Sequence, residues 1–326
     1  MTSPDDYLAI HERAVIGAIA ERRQIAVAGP DRRAFLQGLL TNDIESLNAG
    51  QGCYAAWLTP QGRMLCDMHV IESGDMILLD VPAADVAQIA ERLEQFHFSE
   101  NVQIANLADS LRAVWVHGPQ AGQILAVAAP REGTPYDEWA SYENVRTEID
   151  GMPVVVVRID QLDVAGYVIY TDVQQEAAVT KAIVRTGLLH ASPGTLEAVR
   201  IEAGYPVFGV DMTTDTIPLE AGIEDRAISM TKGCYVGQEV IIRVLHRGGG
   251  RVARRLVRLQ IQGNAPQRGE KVFSGDREIG FVTSAAESPR LGAIALAYLH
   301  RDFVEGGSEV QIAAGDIRER AIVTRS

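Results

Sequence analysis

The last quarter of the chain constrains the fold most tightly. After Arg247-Gly248-Gly249-Gly250 the sequence breaks into six short β-like runs. These are Ala253 to Ile261, Lys271 to Phe273, Ile279 to Thr283, Ile294 to Tyr298, Glu309 to Ile312 and Glu319 to Val323. Runs this short and evenly spaced, with turn residues between them, predict a small β-barrel. The three glycines form the clearest linker in the sequence, so a barrel over 251–326 is expected to follow a separate module over 1–246.

Within that module, helices and strands alternate. Leu8, Ile10, Val15, Ile16 and Ile19 predict a helix over 5–22. A strand from Gln24 to Ala28 runs through Gly29-Pro30-Asp31 into a helix carrying Phe35, Leu36, Leu39 and Leu40. A hairpin follows, Tyr54–Leu58 against Arg63–Ile71 about Pro60-Gln61-Gly62, then a strand Met76–Val81 and a helix bearing Val86, Ile89, Leu93 and Phe96. A second unit begins near Arg112. Its order of strand, Gly118-Pro119 and helix repeats the one at Gly29-Pro30, 89 residues earlier. The repeat predicts two similar α+β lobes. Residues 130–150 read as a loop, followed by strands at Pro153–Ile159 and Gly166–Tyr170 and helices at Asp172–Thr186 and Thr195–Ala203.

Composition excludes several classes. At 326 residues, 47% hydrophobic and 22% charged, the chain is expected to form two or three soluble domains. A net charge of −13 argues against general nucleic-acid binding. No apolar run approaches a membrane span, and the acidic start lacks a secretory layout, so a cytoplasmic location is expected. Cys53, Cys66 and Cys234 lie far apart, and the seven histidines are scattered, so neither a disulfide framework nor a self-contained metal site is expected.

Chemistry concentrates in Lys232-Gly233-Cys234-Tyr235-Val236-Gly237-Gln238-Glu239, just before the apolar run Val240-Ile241-Ile242. An ammonium and a helix start both favour a thiolate, which would make Cys234 reactive with Lys232 lowering its pKa. A small buried hydrophobe is the other reading of a lone cysteine. Cys66 reads as buried. Asp67 interrupts an apolar strand, so it either faces outward or sits in a cleft. The arginines from Arg247 to Arg258 read as a solvated strand or as a short anion-binding surface.

The Lys232–Glu239 stretch resembles the signature of the YgfZ-type folate-binding proteins, relatives of the glycine-cleavage T-protein (aminomethyltransferase) that assist iron–sulfur proteins. Arg200-Ile201-Glu202-Ala203-Gly204 is similar to the Arg-Leu-Glu-Ala-Gly of T-proteins, and Gly62 to Asp67 occupies the place of their Gly-Gly-x-x-Asp-Asp. These matches lie within 58–70 and 198–245. The resemblance implies two interleaved ferredoxin-like lobes and a C-terminal barrel around a site for tetrahydrofolate or a one-carbon derivative. It also implies Glu202 facing the pterin, Asp67 near the reactive folate nitrogen, and Gln238 and Glu239 ordering the motif. Iron–sulfur client proteins are the implied transient partners, with Cys234 as the reactive thiol. A folate-dependent aminomethyl or methyl transferase acting on a small amine or sulfur compound is the alternative, and whether the chain is an enzyme stays open. The chain departs from T-proteins in lacking their Phe-His-Gly-Trp and Asp-Val-Ser-His segments and in carrying Cys234, so the resemblance carries folate binding further than glycine cleavage.

Overall fold

The computed structural model describes residues 2–247, 251–314 and 317–324. Ser3 caps the first helix, α1 (Pro4–Glu12), by accepting from the Asp6 amide, and Pro4 suits its first turn. The helix stops there. The β-branched pair of β1 (Val15–Ile16) enters a sheet instead of extending the helix, which corrects the expected span of 5–22. There follow β2 (Arg22–Ala28), α2 (Arg32–Gln37), β3 (Gln51–Leu58), β4 (Met64–Glu72), β5 (Met76–Pro82), α3 (Val86–Gln95) and β6 (Gln103–Asn106). The second lobe holds β7 (Leu111–His117), α4 (Ala121–Ala128), β8 (Asn144–Ile149), β9 (Met152–Arg158), β10 (Gly166–Asp172), α5 (Glu176–Val184) and β11 (Leu189–His190). The expected loop at 130–150 therefore contains an edge strand, β8, whose outward Arg146 and Glu148 hide its alternation.

Five strands form one sheet in the order β3-β4-β5-β2-β6, and six form another in the order β11-β1-β7-β10-β9-β8. The lobes are interleaved: β1 precedes the whole first sheet yet pairs with β7 and β11 in the second. Each sheet carries its helices on one face. Phe35, Leu36, Trp57, Cys66 and Leu93 make the first of these cores, and Val116, Leu125, Tyr167 and Ile183 the second. The opposite faces meet through Ile71, Leu78, Trp115, Val157, Val168 and Tyr170. Strand alternation thus sends Cys66 and Met68 toward helices and Asp67 and His69 toward the space between sheets.

Helix α6 (Pro193–Glu202) is capped by Ser192 and leads to the short helices α7 (Pro218–Ala221), α8 (Glu224–Ala227) and α9 (Gln238–Ile242). A closed six-stranded barrel completes the chain: β12 (Arg254–Ile261), β13 (Lys271–Ser274), β14 (Arg277–Ser288), β15 (Gly292–His300), β16 (Glu309–Ala314) and β17 (Ile317–Thr324). This is the mixed α+β architecture with a C-terminal barrel expected from the sequence. The glycines of the expected linker, 248–250, lie outside the described residues. Ile201 packs on Leu256, Ile294 and Leu296, fixing α6 to the barrel. Beside it the buried Arg200 pairs with Asp211 at 2.8 Å and donates to the Ser284 hydroxyl. No helix among the described residues is long and apolar enough to cross a membrane.

Candidate functional site in the inter-sheet cleft

Asp67 is 2% exposed and therefore lies in a cleft, not outward. Its Oδ2 accepts from the Tyr54 hydroxyl at 2.6 Å, and its Oδ1 meets the Arg22 guanidinium at 3.2 Å. Arg22 also faces Asp80, at 3.4 Å, and the Tyr170 hydroxyl donates to Asp80 at 2.7 Å. One cation thus sits between two buried carboxylates. Burial opposes its charge, but Asp67 and Asp80 more than offset that and hold Arg22 above its ordinary value. Burial, then Asp67, pushes the Tyr54 phenol up, so it stays a donor. Burial raises Asp80 despite Arg22.

Next to this trio, His69 lies at 0% exposure, bonded through Nδ1 to the Tyr142 hydroxyl at 2.8 Å and through Nε2 to the Gln161 amide at 3.3 Å. Burial, with Arg22 and Arg226, holds it well below the ordinary histidine value, so the ring is neutral. The Gln161 amide also donates to the Tyr205 hydroxyl at 3.2 Å, while its Oε1 is buried with no partner. Arg226 is wedged between two rings, 4.2 Å from the centroid of Tyr205 and 4.9 Å from that of Tyr54. Its Nε is also buried and unpartnered.

Two neighbouring spaces open here. The one touching Asp67, Arg22 and Trp115 has room for about one water molecule, about 10 Å³. Gln161 and Tyr205 separate it from a chamber of about 440 Å³ lined also by Arg226, Asp160 and Arg258. That volume is within the range of small-molecule sites.

The other candidates from the sequence lie elsewhere. Glu202 is 4% exposed, and its carboxylate accepts from Tyr7 at 2.8 and 2.9 Å, from Arg290 at 2.8 Å and from Ser288. It ties α1 and α6 to the barrel. The Lys232–Glu239 stretch packs on the first lobe. Lys232 donates to the carbonyls of Gln37, Leu40 and Asn42 at 2.6–2.8 Å, completing the end of α2. That is a different task from activating Cys234. Burial lowers Lys232 to about 8. Cys234 is exposed beside Gly233, Tyr235 is buried, and Gln238 opens α9 with Glu239, which pairs with Arg243. Cys66 is buried, and burial raises its thiol. The arginines read as a solvated strand are largely engaged. Arg254 pairs with Glu220 at 3.2 Å, Arg255 pairs with Glu224 at 2.6 Å, and Arg258 donates to the Glu202 carbonyl.

Gly237 adopts φ +84, and a Cβ there would stand 2.5 Å from the Thr59 carbonyl oxygen. Gly237→Ala is therefore expected to destabilise the protein by about 2 kcal/mol or more, read as a lower melting temperature. Gly233, with nothing within 4 Å, should tolerate alanine, with a melting temperature close to that of the unaltered chain.

Sequence reasoning missed Arg22, Tyr54, Asp80, Gln161, Tyr205 and Arg226. Asp80 carried the same signal as Asp67, a carboxylate interrupting an apolar strand (Ile77-Leu78-Leu79-Asp80-Val81).

The comparisons agree with this architecture. The family description "GCVT N-terminal domain" matches residues 2–232, and "Glycine cleavage T-protein C-terminal barrel domain" matches 254–326. The chain belongs to the glycine cleavage T-protein family. Aminomethyltransferases of Geobacillus sp. (strain WCH70) and Rubrobacter xylanophilus are 27% and 29% identical to it, each over 98% of this chain and over 88% and 83% of their own lengths. The crystal structure of glycine cleavage system aminomethyltransferase T from Bartonella henselae superposes with a TM-score of 0.86 at 23% identity, over 99% of this chain and 90% of that one. At that identity the likeness is one of fold.

Proposed function

We propose that this chain is a tetrahydrofolate-dependent one-carbon transferase, moving an aminomethyl or methyl unit between folate and a small amine or sulfur compound. Asp67 carries the reading: a carboxylate buried in the inter-sheet cleft, oriented by Arg22 and Tyr54, with Gln161 and Tyr205 standing between it and a 440 Å³ chamber. The residues suit a folate. Gln161 Oε1 and Arg226 Nε are buried polar atoms without partners, and Tyr205 presents an aromatic wall. Bound folate supplies the nitrogen that carries the one-carbon unit. In this chain Asp67 moves a proton at that nitrogen, Arg22 and Tyr54 keep its carboxylate aimed, and Gln161 and Tyr205 exclude water once they shift aside to admit the ring. Asp67→Asn is expected to cut turnover of methylene-tetrahydrofolate about a hundredfold in a single-turnover assay while leaving binding by calorimetry within a few-fold. Full activity in that variant, or no tetrahydrofolate binding by the unaltered chain at millimolar ligand, would remove the reading.

One observation favours a second reading. Cys234 is exposed, its motif lies on the first lobe's surface, and that motif resembles the signature of proteins supporting iron–sulfur enzymes. A tetrahydrofolate-binding helper that presents Cys234 to client proteins would depend on that thiol and not on turnover at Asp67. Complementation of a bacterial strain lacking its YgfZ-type protein, with the unaltered chain and Cys234→Ala compared at equal expression, separates the two. Loss of iron–sulfur enzyme activity in the alanine variant alone would favour the helper.

A further inference from the structure

The interface between the two sheets is incomplete at one edge. Met76, Leu107, Leu111 and Val155 belong to its apolar core but stay only half-buried, because a cavity of about 360 Å³ opens among them. Leu78 and Tyr170 complete its walls, and the volume suits a small molecule. Apolar side chains left against water there forgo burial that the rest of the core achieves, so an apolar occupant would gain it. The charges at the cavity are few. Arg146 is answered by Asp75 and by the Ser73 hydroxyl at 3.1 Å. Asp172 is exposed, accepts from the Gln174 amide and pairs with no cation among the described residues. The balance disfavours an anionic occupant. Tyr170 ties this cavity to Asp67. It lines the cavity, its hydroxyl donates to Asp80 at 2.7 Å, and Asp80 shares Arg22 with Asp67. Met76, Leu78 and Asp80 also follow one another on a single face of β5.

We propose that this cavity is a regulatory site for a small aromatic molecule without negative charge, of the size of indole. Its flat ring lies against Tyr170 and the leucines, which offer aromatic and apolar contacts together. Packed there, it holds the Tyr170 hydroxyl on Asp80 and so keeps Arg22 on Asp67. A ligand that binds this arrangement better than others raises its population, and activity at Asp67 rises with it. The regulation rests on the one-carbon-transfer reading; the binding does not.

Titration calorimetry on the full chain, without folate, tests the binding with indole, tryptamine and indole-3-acetate. Indole and tryptamine should bind saturably, and indole-3-acetate about tenfold more weakly than either. Val155→Phe, which fills the cavity, and Leu107→Asp, which puts a charge in its wall, should each weaken indole about tenfold. Val127→Asp, on the exposed face of α4, should leave it within about twofold. Indole should also raise single-turnover transfer from methylene-tetrahydrofolate about twofold or more. Tyr170→Phe should keep indole binding within a few-fold and abolish that rise. The site is overturned by an absence of indole binding, by binding that Val155→Phe and Leu107→Asp both leave unchanged, or by competitive displacement of indole by tetrahydrofolate. A dimer that indole dissociates would give the cavity to a second copy of the chain and overturn the proposal. Binding with no change in turnover overturns the regulation. If the unaltered chain turns over no methylene-tetrahydrofolate, the one-carbon reading falls and takes the regulation with it, while calorimetry still decides the site.

Discussion

Replacing Arg22 with methionine is expected to lower the unfolding free energy by about 3–5 kcal/mol. The guanidinium lies between Asp67 and Asp80, which are 2% and 0% exposed, and it also donates to their backbone carbonyls. Removing it leaves two buried carboxylates facing one another without a counter-charge, whereas methionine keeps most of the volume. The loss therefore reflects stranded charge more than a cavity. A variant that also carries Asp67→Asn and Asp80→Asn should regain much of the stability, because neutral amides no longer need the cation. Trp57, Trp115 and Trp139 all lie in the two lobes, so tryptophan fluorescence during denaturant unfolding follows the affected part of the molecule. A shift in midpoint below about 1 kcal/mol for Arg22→Met would mean that water or a rearranged side chain reaches the carboxylates.

Acid should unfold this protein earlier than its carboxylates alone require. His117 is 0% exposed on β7, stacked on Trp115 with ring centroids 5.6 Å apart, and burial lowers it to about 4. Unfolding returns it to the ordinary value near 6.5, so the unfolded chain binds the extra proton between those limits. Stability from the neutral ring is complete above pH 6.5, is lost as pH falls from there, and levels off below about 4. The full span corresponds to about 3 kcal/mol. His69 is displaced in the same direction. Glu72 adds a loss at lower pH: burial opposes its ionised form, but bonds from Arg32 and Arg33 win and hold it below its ordinary value. Denaturant midpoints at pH 7 and 4.5 should show His117→Leu losing about 2–3 kcal/mol less than the unaltered chain. Equal losses would mean that His117 is hydrated or charged in the native state.

The barrel was legible because its strands are short, regular and alternate toward one closed core. The lobes were legible as element order, but β1 and β8 were not. Val15 and Ile16 continue a helical spacing, and only the partners waiting in β7 and β11 make them a strand. The cleft was half legible. A single carboxylate in an apolar strand marks a position, but what it faces depends on how two sheets meet, and sequence spacing does not record that. Arg22 and Arg226 are separated by most of the first module, yet both act on Tyr54 and Asp67. The Lys232 motif was legible as a unit and misleading in its electrostatics, since the amine closes a helix end 190–195 residues earlier in the chain.

The placement of β1 bears on how the molecule is made. On a ribosome the strands of the first sheet, all within residues 22–106, can pair soon after they emerge. Val15 and Ile16 cannot, because β7, the earlier of their two partners, is synthesised about 100 residues later. At ~5–20 residues per second that is a delay of about 5–20 s. Through that interval α1 and β1 trail from an otherwise closed sheet, so the nascent chain carries an unpaired β-branched segment that chaperones can hold. The last contact to form then draws the amino terminus across to the second lobe and fastens one lobe to the other.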